Sequence, residues 1–280
     1  MKKTLLVTAA LLSLISCVKD TEQAVQEEIV FTAADSFSAE VTTKATAITS
    51  INQFNAIATT GTSGSESLLW NNKVFSKVAN DTKYTSTDVY WPGTQQSVHF
   101  YATNLTPEFS GGDVTIAANT NTDVLCAYLE NPTWRAVNQL TFNHVLARLG
   151  QCTITEPDGY TGSNLSITLI PKTSGTYNLR TDSWSATNPA ASDVTITTSF
   201  NGEGSINDIY LIPGRYTVTA NYTLTKGTYT QSFTKTASVN LAKGCINQIS
   251  ATLPAGNASE IQFTVEVANW TDHAITANFQ

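Results

Sequence analysis

The chain has 280 residues, only 13% of them charged, and a formal net charge of -7. Ordinary globular chains are roughly 25% charged, and an acidic protein with scattered Lys and Arg lacks the electrostatic footprint that binding nucleic acid requires. Thr, Ser and Asn carry the polarity instead, which suits the exposed strands and loops of an extracellular β protein.

At the N-terminus Lys2 and Lys3 precede an apolar segment from Thr4 to Ser16. It is too short for a bilayer-spanning helix of about 20 residues and reads as a secretory signal. The segment stops at Leu14-Ile15-Ser16-Cys17, which resembles a bacterial lipobox, where a small residue precedes a cysteine that receives a diacylglycerol thioether. Residues 1–16 are then the signal peptide and Cys17 the lipidated mature N-terminus. The bland alternative is an ordinary signal cut elsewhere. Three acyl chains, palmitate among them, give firm membrane anchoring, since each buried methylene contributes about 0.8 kcal/mol and two chains already suffice. Past the signal no apolar run is long enough to span a membrane, so attachment rests on Cys17. The next residues, Val18-Lys19-Asp20, resemble surface-export signals of Bacteroidota lipoproteins.

From Thr21 to about Ser50 the sequence is polar and irregular, interrupted by Ile29-Val30-Phe31. Residues 17–45 therefore read as a tether containing one short strand. Beyond it, alternation with period two dominates. Leu165-Ile167-Leu169, Val194-Ile196, Tyr216-Val218-Ala220-Tyr222-Leu224, Phe233-Ala237-Val239-Leu241 and Phe263-Val265-Val267 each place an apolar row on one face of a strand. Strands that bury one side and wet the other build antiparallel sandwiches. Turn signals such as Gly111-Gly112-Asp113, Pro157-Asp158-Gly159, Asn201-Gly202, Pro213-Gly214, Lys226-Gly227 and Lys243-Gly244 separate them. The expectation is an all-β fold of sandwich type. Asn143 to Gly150 also admits a short helix. Asn131-Pro132-Thr133-Trp134 is the candidate linker, dividing the folded part into domains at 46–133 and 134–280, both of ordinary size.

Chemistry-bearing residues are sparse. His99, His144 and His273 lie on separate segments without a neighbouring carboxylate or second ligand, and no HExxH, GxSxG or phosphate-cradling glycine motif occurs. No enzyme, metal or cofactor is expected. Cys126, Cys152 and Cys245 allow one disulfide in three pairings, or three buried thiols acting as small hydrophobes. Trp70, Trp91, Trp134, Trp184 and Trp270 read chiefly as packing, with a sugar-stacking platform as the alternative. Asn-Xaa-Ser/Thr triplets such as Asn104-Leu105-Thr106 and Asn221-Tyr222-Thr223 follow from a Thr-rich composition.

Several blocks resemble the fimbrillin family, the type V pilins and related lipoproteins of Bacteroidota. They are Tyr90-Trp91-Pro92-Gly93 with Val98-His99-Phe100-Tyr101-Ala102, then Leu140-Thr141-Phe142-Asn143-His144-Val145-Leu146-Ala147-Arg148-Leu149, Tyr210-Leu211-Ile212-Pro213-Gly214, and Leu241 to Ile249. The resemblance implies two transthyretin-like β-sandwich domains in tandem, outer-membrane anchoring at the cell surface, and assembly with other pilin subunits of the same or a related type. In pilus-building relatives a protease removes an N-terminal strand after a basic residue, usually arginine, and a neighbour's C-terminal strand fills the opened groove. On this chain the removable strand maps to Ile29, Val30 and Phe31, running to Ala33, and the basic residue to Lys44. The first arginine is Arg135, so cutting at Lys44 requires a lysine-cleaving enzyme; a solvated loop lysine is the other reading. The donor maps to the terminal segment with Ile275, Ala277 and Phe279, or to Glu260–Val267, which reads better as an ordinary last strand. A pilus anchor or tip, or a stand-alone surface lipoprotein binding a host or bacterial glycan or protein, is the alternative role.

Overall fold

The structure, a computed structural model, describes residues 27–35, 51–106, 109–117, 122–189, 194–196, 198–201, 203–254, 263–269 and 274–277. Among these every regular element is a strand. In chain order they are β1 (Phe31–Asp35), β2 (Gln53–Thr60), β3 (Ser67–Lys77), β4 (Lys83–Thr85), β5 (Val98–Thr103), β6 (Phe109–Ser110), β7 (Asp113–Ala117), β8 (Leu125–Glu130) and β9 (Asn138–His144). There follow β10 (Ala147–Thr155), β11 (Thr161–Leu169), β12 (Lys172–Asn178), β13 (Ser183–Pro189), β14 (Val194–Ile196), β15 (Glu203–Leu211), β16 (Gly214–Lys226), β17 (Tyr229–Leu241), β18 (Cys245–Thr252), β19 (Phe263–Asn269) and β20 (Ala274–Ala277).

Seven strands close a barrel in the order β1-β4-β3-β2-β5-β8-β9. Its neighbours are antiparallel except β1 and β9, which run parallel. The core is aromatic: Phe31, Phe54, Phe75, Phe100 and Phe142 are all buried inside it. A second body packs the five-stranded sheet β15-β10-β18-β19-β20 against the four-stranded sheet β14-β11-β16-β17. Here the sequence periodicity reports directly on burial. Tyr216, Val218, Ala220, Tyr222 and Leu224 face the core from β16, and its ladder with β17 runs unbroken from Gly214↔Leu241 to Lys226↔Tyr229.

The third sheet, β13-β12-β7-β6, takes one hairpin from each half of the chain. Strands β7 and β12 pair from Ser174↔Ala117 to Asn178↔Asp113. Under this sheet lies a separate apolar layer containing Val114, Ile116 and Tyr177, with Tyr101 from β5 and Val145, Leu146, Tyr210 and Ile212. Every residue of β5 is buried as a result: Phe100 looks into the barrel core, and Tyr101 into this layer.

Two sequence expectations differ from what is seen. The segment 143–150 holds the end of β9 and the start of β10 with Val145-Leu146 between them, and no helix, because its apolar run is buried on both sides rather than along one stripe. Asn131–Trp134 joins β8 to β9, neighbours in the same barrel, so its Asn-Pro signal marks a chain reversal within one body. The passage into the second body comes at Val145-Leu146. There Gly244 N–H donates to Leu146 O (2.8 Å) and the Trp184 indole N–H to Val145 O (3.0 Å). Gly244 sits at φ 61°, and a Cβ there would lie 2.9 Å from His144 O, so this contact admits no larger residue.

Candidate functional site: the seam closed by β1

Strand β1 is the stave that closes the barrel. On one side Phe31 and Thr32 pair antiparallel with Tyr84 and Lys83 of β4. On the other, Phe31 to Asp35 pair in parallel with Asn138 to Phe142 of β9. The pairing extends upstream: Ile29 N–H donates to Val89 O (3.0 Å), Trp91 N–H to Glu27 O (3.0 Å), and Asn138 N–H to Val30 O (3.2 Å). The apolar patch seen in the sequence therefore lies between two walls and is hydrogen-bonded to both.

Alternation decides which side chains enter the core. Ile29 and Phe31 are fully buried, Val30 is half-buried, and Ala33 packs partly against the same cluster. The Phe31 ring meets Phe100 at 4.8 Å and Phe75 at 4.9 Å, both edge-on, and Phe54 at 6.2 Å. Phe54 in turn stacks on Phe75 at 5.4 Å and touches Phe142 at 5.2 Å. Burying Ile29 and Phe31 contributes about 1.5–3 kcal/mol each, and both walls of the seam expose unpaired backbone groups if β1 leaves.

A cross-tie spans the upstream end of the seam, and sequence reasoning missed it. Trp134, from the β8–β9 turn, donates its indole N–H to Pro92 O (3.3 Å) on the opposite wall. Arg135 lies 4.4 Å over the Trp134 ring and 3.9 Å from Glu27. The Asn138 side chain holds the turn, accepting from Thr133 N–H (2.8 Å) and donating to Thr133 O and Ala136 O (2.9 Å each). The only sequence hint was the Trp-Pro chemistry on both sides, at Trp91-Pro92 and Pro132-Thr133-Trp134.

The C-terminal strands sit in the second body. Strand β19 pairs with β18 at seven positions, from Cys245↔Asn269 to Ala251↔Phe263, and Val265 is buried in the core. Strand β20 forms the outer edge, with Ile275 opposite Val267 and Ala277 opposite Val265. Cys17, Lys44, Trp270, His273 and Phe279 lie outside the described residues.

The two described histidines are buried and hydrogen-bonded. His99 contacts the Tyr128 hydroxyl (3.0 Å) and Gly61 O (3.1 Å). His144 pairs with Asp123 at 2.6 Å, both buried. Among the described residues no group of three or more His, Cys, Asp or Glu is arranged to hold a metal, and no helix is long and apolar enough to cross a membrane. Cys126, Cys152 and Cys245 are free buried thiols. Burial pushes Cys126 and Cys152 up to about 12, and raises Cys245 as well. Trp91 is buried in the barrel core; Trp70 and Trp134 pack partly against that core, and Trp184 against the layer between the bodies.

The structure thus defines an all-β protein built around a barrel that the first strand of its own chain completes. The fimbrillin-like family model matches residues 39–270, and the chain belongs to that family. Among solved structures it is similar to a candidate cell adhesion protein from Bacteroides ovatus, with 13% identity, a TM-score of 0.53, and coverage of 89% of this chain and 99% of that one. It is also similar to a candidate cell adhesion protein from Bacteroides uniformis, with 14% identity, a TM-score of 0.50, and coverage of 88% and 99%. At such identities the likeness concerns the fold. No curated protein matches the chain.

Proposed function

We propose that the chain is a structural or adhesive fimbrial subunit, exported as a lipoprotein through Cys17, displayed at the cell surface and assembled by β-strand exchange. The observation that carries this reading is the closing stave: Ile29 and Phe31 are fully buried in a slot where β1 pairs with β4 on one side and β9 on the other. Loss of β1 opens an apolar slot flanked by unsatisfied strand edges, which a strand from another subunit can fill. Family membership and the resemblance to adhesion proteins support a non-enzymatic surface role. The reading carries with it the tandem transthyretin-like plan, supported by the two apolar cores that lie in the barrel and in the second body. Its partners are other pilin subunits, with the outer membrane reached through the lipid.

Lys44 lies between β1 and β2, so a cut there separates Cys17 and β1 from the folded remainder. The test is to label cells with palmitate and treat them with a lysine-specific protease. Label should stay on the short N-terminal fragment while the unlabelled remainder runs as a ladder of oligomers. Loss of the fragment without oligomers rejects strand exchange, and label persisting in Cys17→Ala rejects the anchor.

A further inference from the structure

The outward face of the sheet β14-β11-β16-β17 is built of short hydroxyl and amide side chains. Because Tyr216, Val218, Ala220, Tyr222 and Leu224 point into the core, the alternate residues of β16 point out. Set against β17 they form rows such as Thr219↔Thr236, Asn221↔Thr234 and Thr225↔Thr230. Thr168 and Ser166 of β11 prolong the first two. Neighbours within a row hold one another. Thr234 Oγ1 donates to Asn221 Oδ1 (2.7 Å), the Thr223 and Ser232 hydroxyls lie 3.0 Å apart, and those of Thr225 and Thr230 3.2 Å apart. The single charge among the described residues of this face, Arg215, stands at one end and donates to Ser238 Oγ (3.1 Å). Lys226 and Lys235 share the parity of the core-facing residues. A soluble protein surface is ordinarily about 25–35% charged. Strands elsewhere in the chain carry such charges, with Lys73, Lys77 and Lys83 on the barrel and Asp113 and Lys172 on the third sheet.

Size, charge and period together narrow the partner. The nine residues from Thr217 to Thr225 span about 27 Å and four strands about 15 Å, roughly 400 Å² against the ~800 Å² per partner of a stable protein interface. The aromatic anchors that hold such interfaces are missing from the outward positions of β11, β16 and β17. An acidic ligand finds no row of lysines here, and meets a chain of formal charge -7. What the face does offer is regularity, repeating at about 6.8 Å along a strand and about 4.8 Å across strands. Its threonines are stiff at χ1, and each presents a methyl beside a hydroxyl that both donates and accepts. We propose that this face binds an extended, uncharged polysaccharide, a ligand that likewise repeats hydroxyls and carbon–hydrogen faces along its length. The proposal rests on the adhesive, surface-displayed part of the reading above and not on strand exchange.

The test runs the full, uncut Cys17→Ala chain through native gels cast with glucomannan, mixed-linkage β-glucan or arabinoxylan, with polygalacturonate as the acidic counterpart. At least one neutral polymer should retard the chain, and more strongly than polygalacturonate does. Replacing Thr219, Thr234 and Thr236 together by Val keeps shape and strand preference while deleting three hydroxyls, and should weaken retardation about 30-fold. Ser232→Lys, which lays a long charged side chain over the rows, should act in the same direction. Thr115→Val, on the exposed side of β7, should leave retardation unchanged, and matched urea midpoints establish that each variant is folded. Retardation by none of the neutral polymers overturns the proposal, as does stronger retardation by polygalacturonate. Folded Val and Lys variants that run like wild type place the binding elsewhere and overturn this face as the site. A dimer in sedimentation that Ser232→Lys disperses, without retardation, makes a second copy the occupant and likewise overturns it. None of these outcomes bears on strand exchange, which the palmitate and protease experiment reads separately.

Discussion

At the scale of single residues, burial sets chemistry as well as stability. A thiolate is the reacting form of cysteine, and desolvation at Cys126 and Cys152 raises both to about 12, so neither ionises near neutrality. Lys243 works against burial at Cys245, which is nonetheless raised. In a Cys17→Ala chain, Ellman's reagent should therefore find essentially no reactive thiol in the folded protein and three after denaturation. One fast equivalent in the native state would place a thiol in solvent. Ile29 and Phe31 were legible from sequence because an apolar pair two residues apart stood alone in a polar stretch. Their partners were not: a parallel ladder with β9 joins residues about 107 positions apart, and nothing local in 138–142 announces it. Phe54, Phe75 and Phe100 were equally silent as the rings around Phe31, since each reads as an ordinary core aromatic on its own strand.

At the scale of elements, the turns do the fastening. The β12–β13 turn carries Arg180, which donates to Glu66 of the β2–β3 turn and to the Tyr101 hydroxyl, binding the third sheet to the barrel. On the same turn Asp182 is paired with Lys243 from the β17–β18 turn. Partial burial raises Glu66, but backbone hydrogen bonds at Gly64 and Glu66 and the charges of Arg180 and His99 outweigh it, leaving its carboxyl below the usual value. A depressed carboxyl binds fewer protons folded than unfolded. Its stabilisation is thus present above the ordinary carboxylate value of about 4.3 and is lost as pH falls through the folded value. Urea midpoints should show Glu66→Gln less stable than wild type at pH 7, with the gap closing on acidification below about pH 4; a gap constant with pH would exclude this linkage. Elements with one wet face, such as β16 and β17, could be read from sequence. The run from Val145 to Leu149 could not, because burial on both faces erases the period that separates strand from helix.

At the scale of the whole molecule, the shared sheet determines how the bodies relate. Cutting between Val145 and Leu146 strands β6 and β7 on one piece and β12 and β13 on the other, exposing Val114, Ile116, Tyr177 and Ile212. Fragments 1–145 and 146–280 should each be insoluble or melt without cooperativity when expressed alone, and co-expression should restore one cooperative calorimetric transition. Two fragments that melt cooperatively by themselves would make the shared sheet dispensable. This arrangement was invisible in the sequence: residues 172–189 are rich in Thr, Ser and Asn without strict alternation, and their partners at 113–117 are separated from them along the chain by β8, β9, β10 and β11. The sheet also has a mechanical meaning. Force passing from the barrel to the second body is shared between the covalent link at Val145-Leu146 and the β7–β12 ladder, to which the charge-paired turns at Arg180 and Asp182 add.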